Sequence, residues 1–184
     1  MSRLIRAKRP HTVEQRSGYV KGVVRRFAQS SLDHRGTLDQ PGRVVTVIEA
    51  SEWYKLVERR KDKNVEDLVW GVAYRIDPGK VDEVKAYLEY REKNGYTSHE
   101  VPMYCTSLNG EAEVATIWIG KLDNPAFIGC EPTSDLARII HQRSGPSGSN
   151  KDYLFKLAES VRQLYPNVHD DYLFDLEVNR SLSF

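Results

Sequence analysis

Glu92 is a carboxylate standing where the local pattern requires an apolar side chain. The segment from Gly79 to Gly95 reads as a helix, entered from Pro78-Gly79 and closed by Asn94-Gly95, a pair suited to a left-handed C-terminal cap. At about 100° per residue, Val81, Val84 and Leu88 share one stripe, and Glu92 lands on it one turn later. A carboxylate facing a packed interior is desolvated, which favours its protonated form and raises its pKa. Such a group takes up and returns a proton near neutrality. The competing reading puts Glu92 beyond the last buried turn, in solvent beside Arg91 and Lys93.

Other constellations offer less. Gly145-Pro-Ser-Gly148 has the glycines of a phosphate cradle but continues as Ser149-Asn150, without the lysine that a nucleotide loop needs. His11, His34, His99, His141 and His169 show no metal-ligand spacing among themselves or with Cys105 and Cys130. Asp33-His34 lacks a serine in a nucleophile elbow. Arg35 and Arg43 flank the loop from Asp33 to Pro41, where their forked donors either clamp a carboxylate or brace the loop itself.

These residues must be positioned by some fold, and composition bounds it. A chain of 184 residues with 40% hydrophobic and 29% charged content suits one soluble domain with its own core. A net charge of +1, with bases and acids interspersed, argues against a general nucleic-acid binder. No apolar run approaches the roughly 18 residues of a membrane span, so no membrane partner is expected. Two cysteines without ligand spacing suggest reduced thiols, and with them a cytoplasmic location. Near the start, Arg3, Arg6, Lys8 and Arg9 precede any acid, as in a mitochondrial targeting peptide, although Pro10 would cut its helix short.

The pattern predicts strands over 18–27, with a glycine interruption, and over 43–48, 68–76, 100–106 and 112–119. A polar loop fills 29–40, and residues 51–66 read as a surface helix or insertion around Trp53, Leu56 and Val57. Leu108-Asn-Gly110 is the expected turn between the last two strands. Thr133 or Ser134 is placed to cap a helix through Gln142, with Leu136, Ile139 and Ile140 on its apolar face. After a glycine-rich connection over 144–150, helices follow from Tyr153 to Leu164 and from Asp171 to Val178. The class is α+β: a small, largely antiparallel β-barrel flanked by helices, in a single domain over 1–184.

Several segments together resemble one family. They are Arg25-Arg-Phe-Ala-Gln-Ser-Ser-Leu-Asp-His-Arg-Gly36, Pro41-Gly-Arg-Val44, Trp70-Gly-Val-Ala-Tyr74, Glu83-Val-Lys-Ala-Tyr-Leu-Glu-Tyr-Arg-Glu92, Ile119-Gly120, Asp123-Asn-Pro125, and Gly145-Pro-Ser-Gly148 followed by Asn150 and Tyr153-Leu154. The chain is similar to the ChaC-type glutathione-specific γ-glutamylcyclotransferases from about Gly18 to the C-terminal helix. That resemblance implies a small barrel with flanking helices and cleavage of glutathione to 5-oxoproline and cysteinylglycine, with no metal or cofactor. It implies Glu92 as the catalytic glutamate, Glu83 as a second glutamate linked to substrate selection, and Tyr153 as a tyrosine of the site.

The chain departs from the family at its start. The family opens with a strand ending in a Tyr-Gly-Ser-Leu turn that holds the γ-glutamyl group. Here Met1-Ser-Arg-Leu-Ile5 aligns with the end of that turn, so Ser2, Arg3 and Leu4 are the expected substrate contacts and residues 1–17 form a shortened motif region. A missing strand would leave an unpaired sheet edge. Ala28 also replaces an aromatic common in the family. The competing reading is a non-catalytic paralogue that binds γ-glutamyl peptides or a protein partner. On a straight helix Glu83 lies half a circumference from Glu92, so it either precedes the helix on a movable loop or acts indirectly.

Overall fold

The computed structural model describes residues 11–57, 66–91, 95–106 and 111–178. Strand β1 (Thr12–Lys21) meets Gly22, whose φ of 74° turns the chain sharply, and β2 (Val23–Ser31) departs from it. The interrupted strand expected over 18–27 is therefore two strands joined at that glycine, and the polar loop begins only at Leu32. Strand β3 (Gly42–Glu49) runs into α1 (Ala50–Leu56), which buries Trp53. Strand β4 (Leu68–Ile76) follows, then a 3₁₀ turn over Pro78–Lys80 whose Gly79 amide donates to Asp77 Oδ1 at 2.8 Å.

Helix α2 (Val81–Arg91) starts directly after that turn. Its expected apolar stripe does not face a packed interior: Val81 is 45% exposed, and Val84 and Leu88 are half-buried. Spacing alone aligned the stripe, but among the described residues none of the three core clusters includes it. Strand β5 (Tyr96–Cys105) opens after Gly95, whose φ is 82°, and β6 (Ala112–Gly120) pairs with it in antiparallel register. The Leu108-Asn-Gly110 turn lies outside the described residues.

Helix α3 (Thr133–Gln142) takes Pro132 as its N-cap and has no side-chain cap, so neither Thr133 nor Ser134 plays that part. Proline's fixed φ and missing N–H suit a helix entrance without one. The glycine-rich connection folds into a miniature hairpin, β7 (Ser144–Gly145) and β8 (Gly148–Ser149). Helix α4 (Asn150–Leu164) is capped by Ser149, which accepts from the Asp152 amide at 3.0 Å; it starts three residues before Tyr153. Helix α5 (Asp171–Val178) completes the described chain.

Among the described residues all strand pairing is antiparallel, in a sheet ordered β4-β1-β5-β6, a separate β2-β3 ribbon and the small β7-β8 hairpin. Hydrogen bonds do not close these into a barrel among the described residues. The β3 and β6 edges face each other: a Cβ added at Gly120 would stand 2.4 Å from Thr46 Oγ1. The ribbon is covered on both faces. Val20, Val23, Met103, Cys105 and Ile119 fill the space between ribbon and sheet. Phe27 packs with Leu136, Ile140, Leu154 and Leu173 of the helices, and Val24, Ala28 and Ile48 pack with Trp53.

Candidate active site

Three of the sequence motifs interlock around the start of α4. A Cβ at Gly42 would lie 2.2 Å from the Arg35 carbonyl oxygen, and one at Gly145 would lie 2.4 Å from that of His34, so both glycines serve close backbone approach. The Ser147 amide donates to the His34 carbonyl at 3.0 Å, and Arg35 Nη1 donates to the Ser147 carbonyl at 2.5 Å. Asn150, fully buried, bonds both polar groups of Arg43's backbone. This knot fixes the first turn of α4.

Tyr153 stands in that turn and leans inward. Its ring meets Phe27 edge-on at 5.9 Å, and the Arg35 guanidinium sits 5.1 Å from the ring centroid. Burial pushes the Tyr153 hydroxyl above its ordinary pKa, partly opposed by a hydrogen bond with the Val45 backbone; the neighbouring Tyr96 adds to the rise.

Tyr96 begins β5, and its hydroxyl donates to Gln29 Oε1 of β2. Immediately before it, Gly95 lies under the Asn124 side chain; a Cβ there would be 2.2 Å from Asn124 Cγ. Asn124 in turn accepts the Ala126 amide at 2.9 Å, and the loop is zipped onto β2 by Ser30 N to Ala126 O and Ile128 N to Ala28 O. The Asp123-Asn-Pro125 motif thus buttresses Gly95 at the entry to β5.

Of the residues singled out from sequence, Glu92, Ser2, Arg3 and Leu4 lie outside the described residues. The described neighbours of Glu92 in the chain are Arg91, which ends α2, and Gly95, which precedes Tyr96. Glu83 lies in the first turn of α2, so it does not precede the helix on a loop. Its side chain is 59% exposed, 2.7 Å from Lys80 Nζ and 3.5 Å from His11 Nε2. The hydrogen bond from Lys80 holds the Glu83 carboxyl below its ordinary pKa.

The arginines brace rather than wait for a ligand. Arg43 makes a two-pronged pair with Glu131, at 2.6 and 2.7 Å, and Arg35 is engaged as described. Cys105 is buried and Cys130 exposed, both as free thiols. Among the described residues, no group of three or more His, Cys, Asp or Glu is arranged to hold a metal ion. No described helix is long and apolar enough to cross a membrane.

Sequence reasoning missed Gln29, Tyr96 and Asn124 as parts of this cluster. A signal existed for Gln29, a polar residue inside a strand that is otherwise largely buried. Close by, a cleft of about 360 Å³ opens between Ile48, Glu49 and Glu52 on one side and residues 119–123 on the other. Its acidic rim is partly neutralised by Lys121, 3.6 Å from Glu49. Tyr153, Tyr96 and Gln29 do not line it, so the cleft is adjacent to the tyrosine cluster rather than part of it.

Residues 3–181 match the model of the ChaC-like protein family. The chain is 39% identical over 163 residues to a glutathione-specific γ-glutamylcyclotransferase of Schizosaccharomyces pombe, covering 86% of this chain and 79% of that one. It is 32% identical to the human glutathione-specific γ-glutamylcyclotransferase 1, covering 87% and 67%. The crystal structure of a yeast γ-glutamyl cyclotransferase specific to glutathione superposes with a TM-score of 0.80 at 30% identity, covering 96% of this chain and 91% of that one. The architecture is thus the γ-glutamylcyclotransferase-like fold, and the chain belongs to the ChaC-like family.

Proposed function

We propose that this chain is a lyase that cleaves glutathione to 5-oxoproline and cysteinylglycine. The observation that carries the proposal is its identity to curated enzymes of that specificity over most of their length. The convergence of the family-like motifs on one cluster around Tyr153 supports it. Those relatives carry enzyme names, which favours catalysis over a non-catalytic paralogue.

The chemistry needs no nucleophile from the protein. The substrate's α-amine attacks its own γ-carbonyl carbon, a five-membered lactam forms, and the amide bond to the cysteinyl nitrogen breaks. A bent bound pose supplies the proximity, worth several kcal/mol of the barrier. Glu92 is the group proposed to take the proton from the α-ammonium and return it to the departing nitrogen. Tyr153, held protonated by burial, is proposed to face the substrate as a donor. Ser2, Arg3 and Leu4 are assigned to the γ-glutamyl group, and backbone amides there to the negative oxygen of the tetrahedral intermediate. Glu83, exposed and salt-bridged, is assigned an indirect part in substrate selection. We infer a cytoplasmic location, in keeping with Cys105 and Cys130, which are both free thiols.

The test is release of 5-oxoproline by the purified full chain, from glutathione and from γ-glutamyl-alanine in parallel. Release from glutathione alone supports the assignment. Release from γ-glutamyl-alanine alone reassigns the substrate, and release from neither overturns the enzymatic reading.

A further inference from the structure

Arg35 is fixed at its backbone and anchored at its tip. Its amide donates to Ser31 Oγ at 3.0 Å, and its carbonyl oxygen lies against Gly42, where a Cβ would stand 2.2 Å away. The guanidinium reaches across to the β7–β8 hairpin, where Nη1 donates to the Ser147 carbonyl at 2.5 Å. Gly148 follows with a φ of 102°, and a Cβ there would meet Nη1 at 3.4 Å. The hairpin then passes directly into α4 through the Ser149 cap. One helical turn past that cap, the ring of Tyr153 has the guanidinium over it, 5.1 Å from its centroid.

The charge on this arginine is not cancelled by an acid. Arg25 is paired with Asp170 and Arg43 with Glu131, but among the described residues no carboxylate pairs with Arg35. Its partner at Ser147 is a neutral carbonyl, so the full cation faces the ring. A guanidinium in that position is attracted by the ring quadrupole, and its planar shape stacks as an ammonium cannot.

That cation has a chemical use. The groups facing Tyr153 are Phe27 and Arg25 from β2, the Val45 backbone from β3, Tyr96 from β5 and Arg35 from the loop. Burial and Tyr96 make the hydroxyl a weaker acid, and Arg35 and Arg25 oppose them. Arg25 is neutralised by Asp170, which leaves Arg35 as the uncompensated cation among these groups. A buried phenol without a cation is a poor donor to an oxygen that gathers negative charge; one beside a guanidinium donates more strongly.

We propose that Arg35 is a positioning residue for Tyr153: anchored on the Ser147 carbonyl, its guanidinium holds the ring by its face and keeps the hydroxyl a competent hydrogen-bond donor to the substrate. This inference rests on the γ-glutamylcyclotransferase reading, in which Tyr153 faces the substrate.

The experiment is a double-mutant cycle with a spectroscopic arm. Arg35→Met removes the charge, Arg35→Lys keeps the charge without the planar stack, and Tyr153→Phe keeps the ring without the hydroxyl. For glutathione, kcat/KM is expected to fall by about threefold to thirtyfold in Arg35→Met, the size of a cation–π contact, and by less in Arg35→Lys. In the Tyr153→Phe background, Arg35→Met is expected to cost no more than about twofold further, because the group it acts through is gone. The spectroscopic arm needs no turnover. Tyrosines are replaced by 3-fluorotyrosine, and the fluorine resonance of Tyr153 is assigned by its loss in Tyr153→Phe. Its titration is expected to move to higher pH in Arg35→Met and to stay near that of the unmodified chain in Arg35→Lys. Additive kinetic losses, or a Tyr153 titration that Arg35→Met leaves unmoved, would overturn the proposal and reduce Arg35 to a brace of the hairpin. Absence of turnover in the unmodified chain would overturn the functional reading instead, and the titration would still decide whether Arg35 acts on Tyr153.

Discussion

Asn150 holds the Arg43 peptide from both sides: the Arg43 amide donates to Asn150 Oδ1 at 2.6 Å, and Asn150 Nδ2 donates to the Arg43 carbonyl at 2.7 Å. The side chain is completely buried, so no water can replace either bond. Asn150→Ala is expected to cost about 2–4 kcal/mol, because both backbone groups lose their partner. Calorimetry should show the midpoint fall by roughly 4–16 °C in a protein of this size. Asn150→Asp should be no better, since it sets an oxygen against the Arg43 carbonyl. A wild-type melt from either variant would refute the coupling.

Two glycines separate conformational from steric necessity. Gly22 has a φ of 74° and open space where a Cβ would go, so Gly22→Ala strains only the backbone, at about 1–2 kcal/mol. Gly42→Ala would drive a Cβ to within 2.2 Å of the Arg35 carbonyl oxygen and 2.9 Å of Asn150 Oδ1. Its expected penalty exceeds about 3 kcal/mol, and it should also disturb Tyr153 through the loop knot. Urea denaturation of the two variants ranks them directly; equal midpoints would contradict the steric argument.

The strands β3, β4 and β6 were legible because β-branched runs bounded by glycine or proline mark them locally. The corner at Gly22 was not, because a glycine inside a strand pattern is equally compatible with a bulge until its φ is known. For α2, spacing showed that Val81, Val84 and Leu88 share a stripe, but periodicity cannot say whether anything packs against it. The site divides the same way. The motifs around Tyr153 were legible as separate segments, and the fold brings them together beside it. Gln29 and Tyr96, 67 positions apart, become one unit only through tertiary pairing. Arg43 and Glu131, 88 positions apart, turn a suspected ligand clamp into an internal brace for the same reason.

Tyr172 makes alkaline stability predictable. Burial pushes its hydroxyl up to about 12 from an ordinary 10.0, although the Phe27 amide donates to it at 2.9 Å. The folded state therefore holds this proton more tightly than the unfolded chain. Its contribution is complete below pH 10 and is lost as the pH rises toward about 12, amounting to about 3 kcal/mol. Tyr153 is shifted in the same direction and adds to the slope. Chemical denaturation across this range should show the fall, and Tyr172→Phe should flatten it while costing about 1 kcal/mol at neutral pH for the lost amide partner. An unchanged slope in Tyr172→Phe would assign the effect elsewhere.

Glu92→Gln separates proton transfer from architecture. The substitution keeps the size and much of the hydrogen-bonding reach of the side chain but cannot accept a proton from the substrate's α-ammonium or return one to the leaving nitrogen. Turnover of glutathione should fall by roughly 10²–10⁴, while the melting midpoint and glutathione binding stay close to wild type. The neighbouring Glu83→Gln provides the contrast. Glu83 is exposed and paired with Lys80, so it should leave kcat within about threefold and act, if on anything, on the choice among γ-glutamyl substrates. Less than a tenfold loss in Glu92→Gln would move the acid/base role to another group.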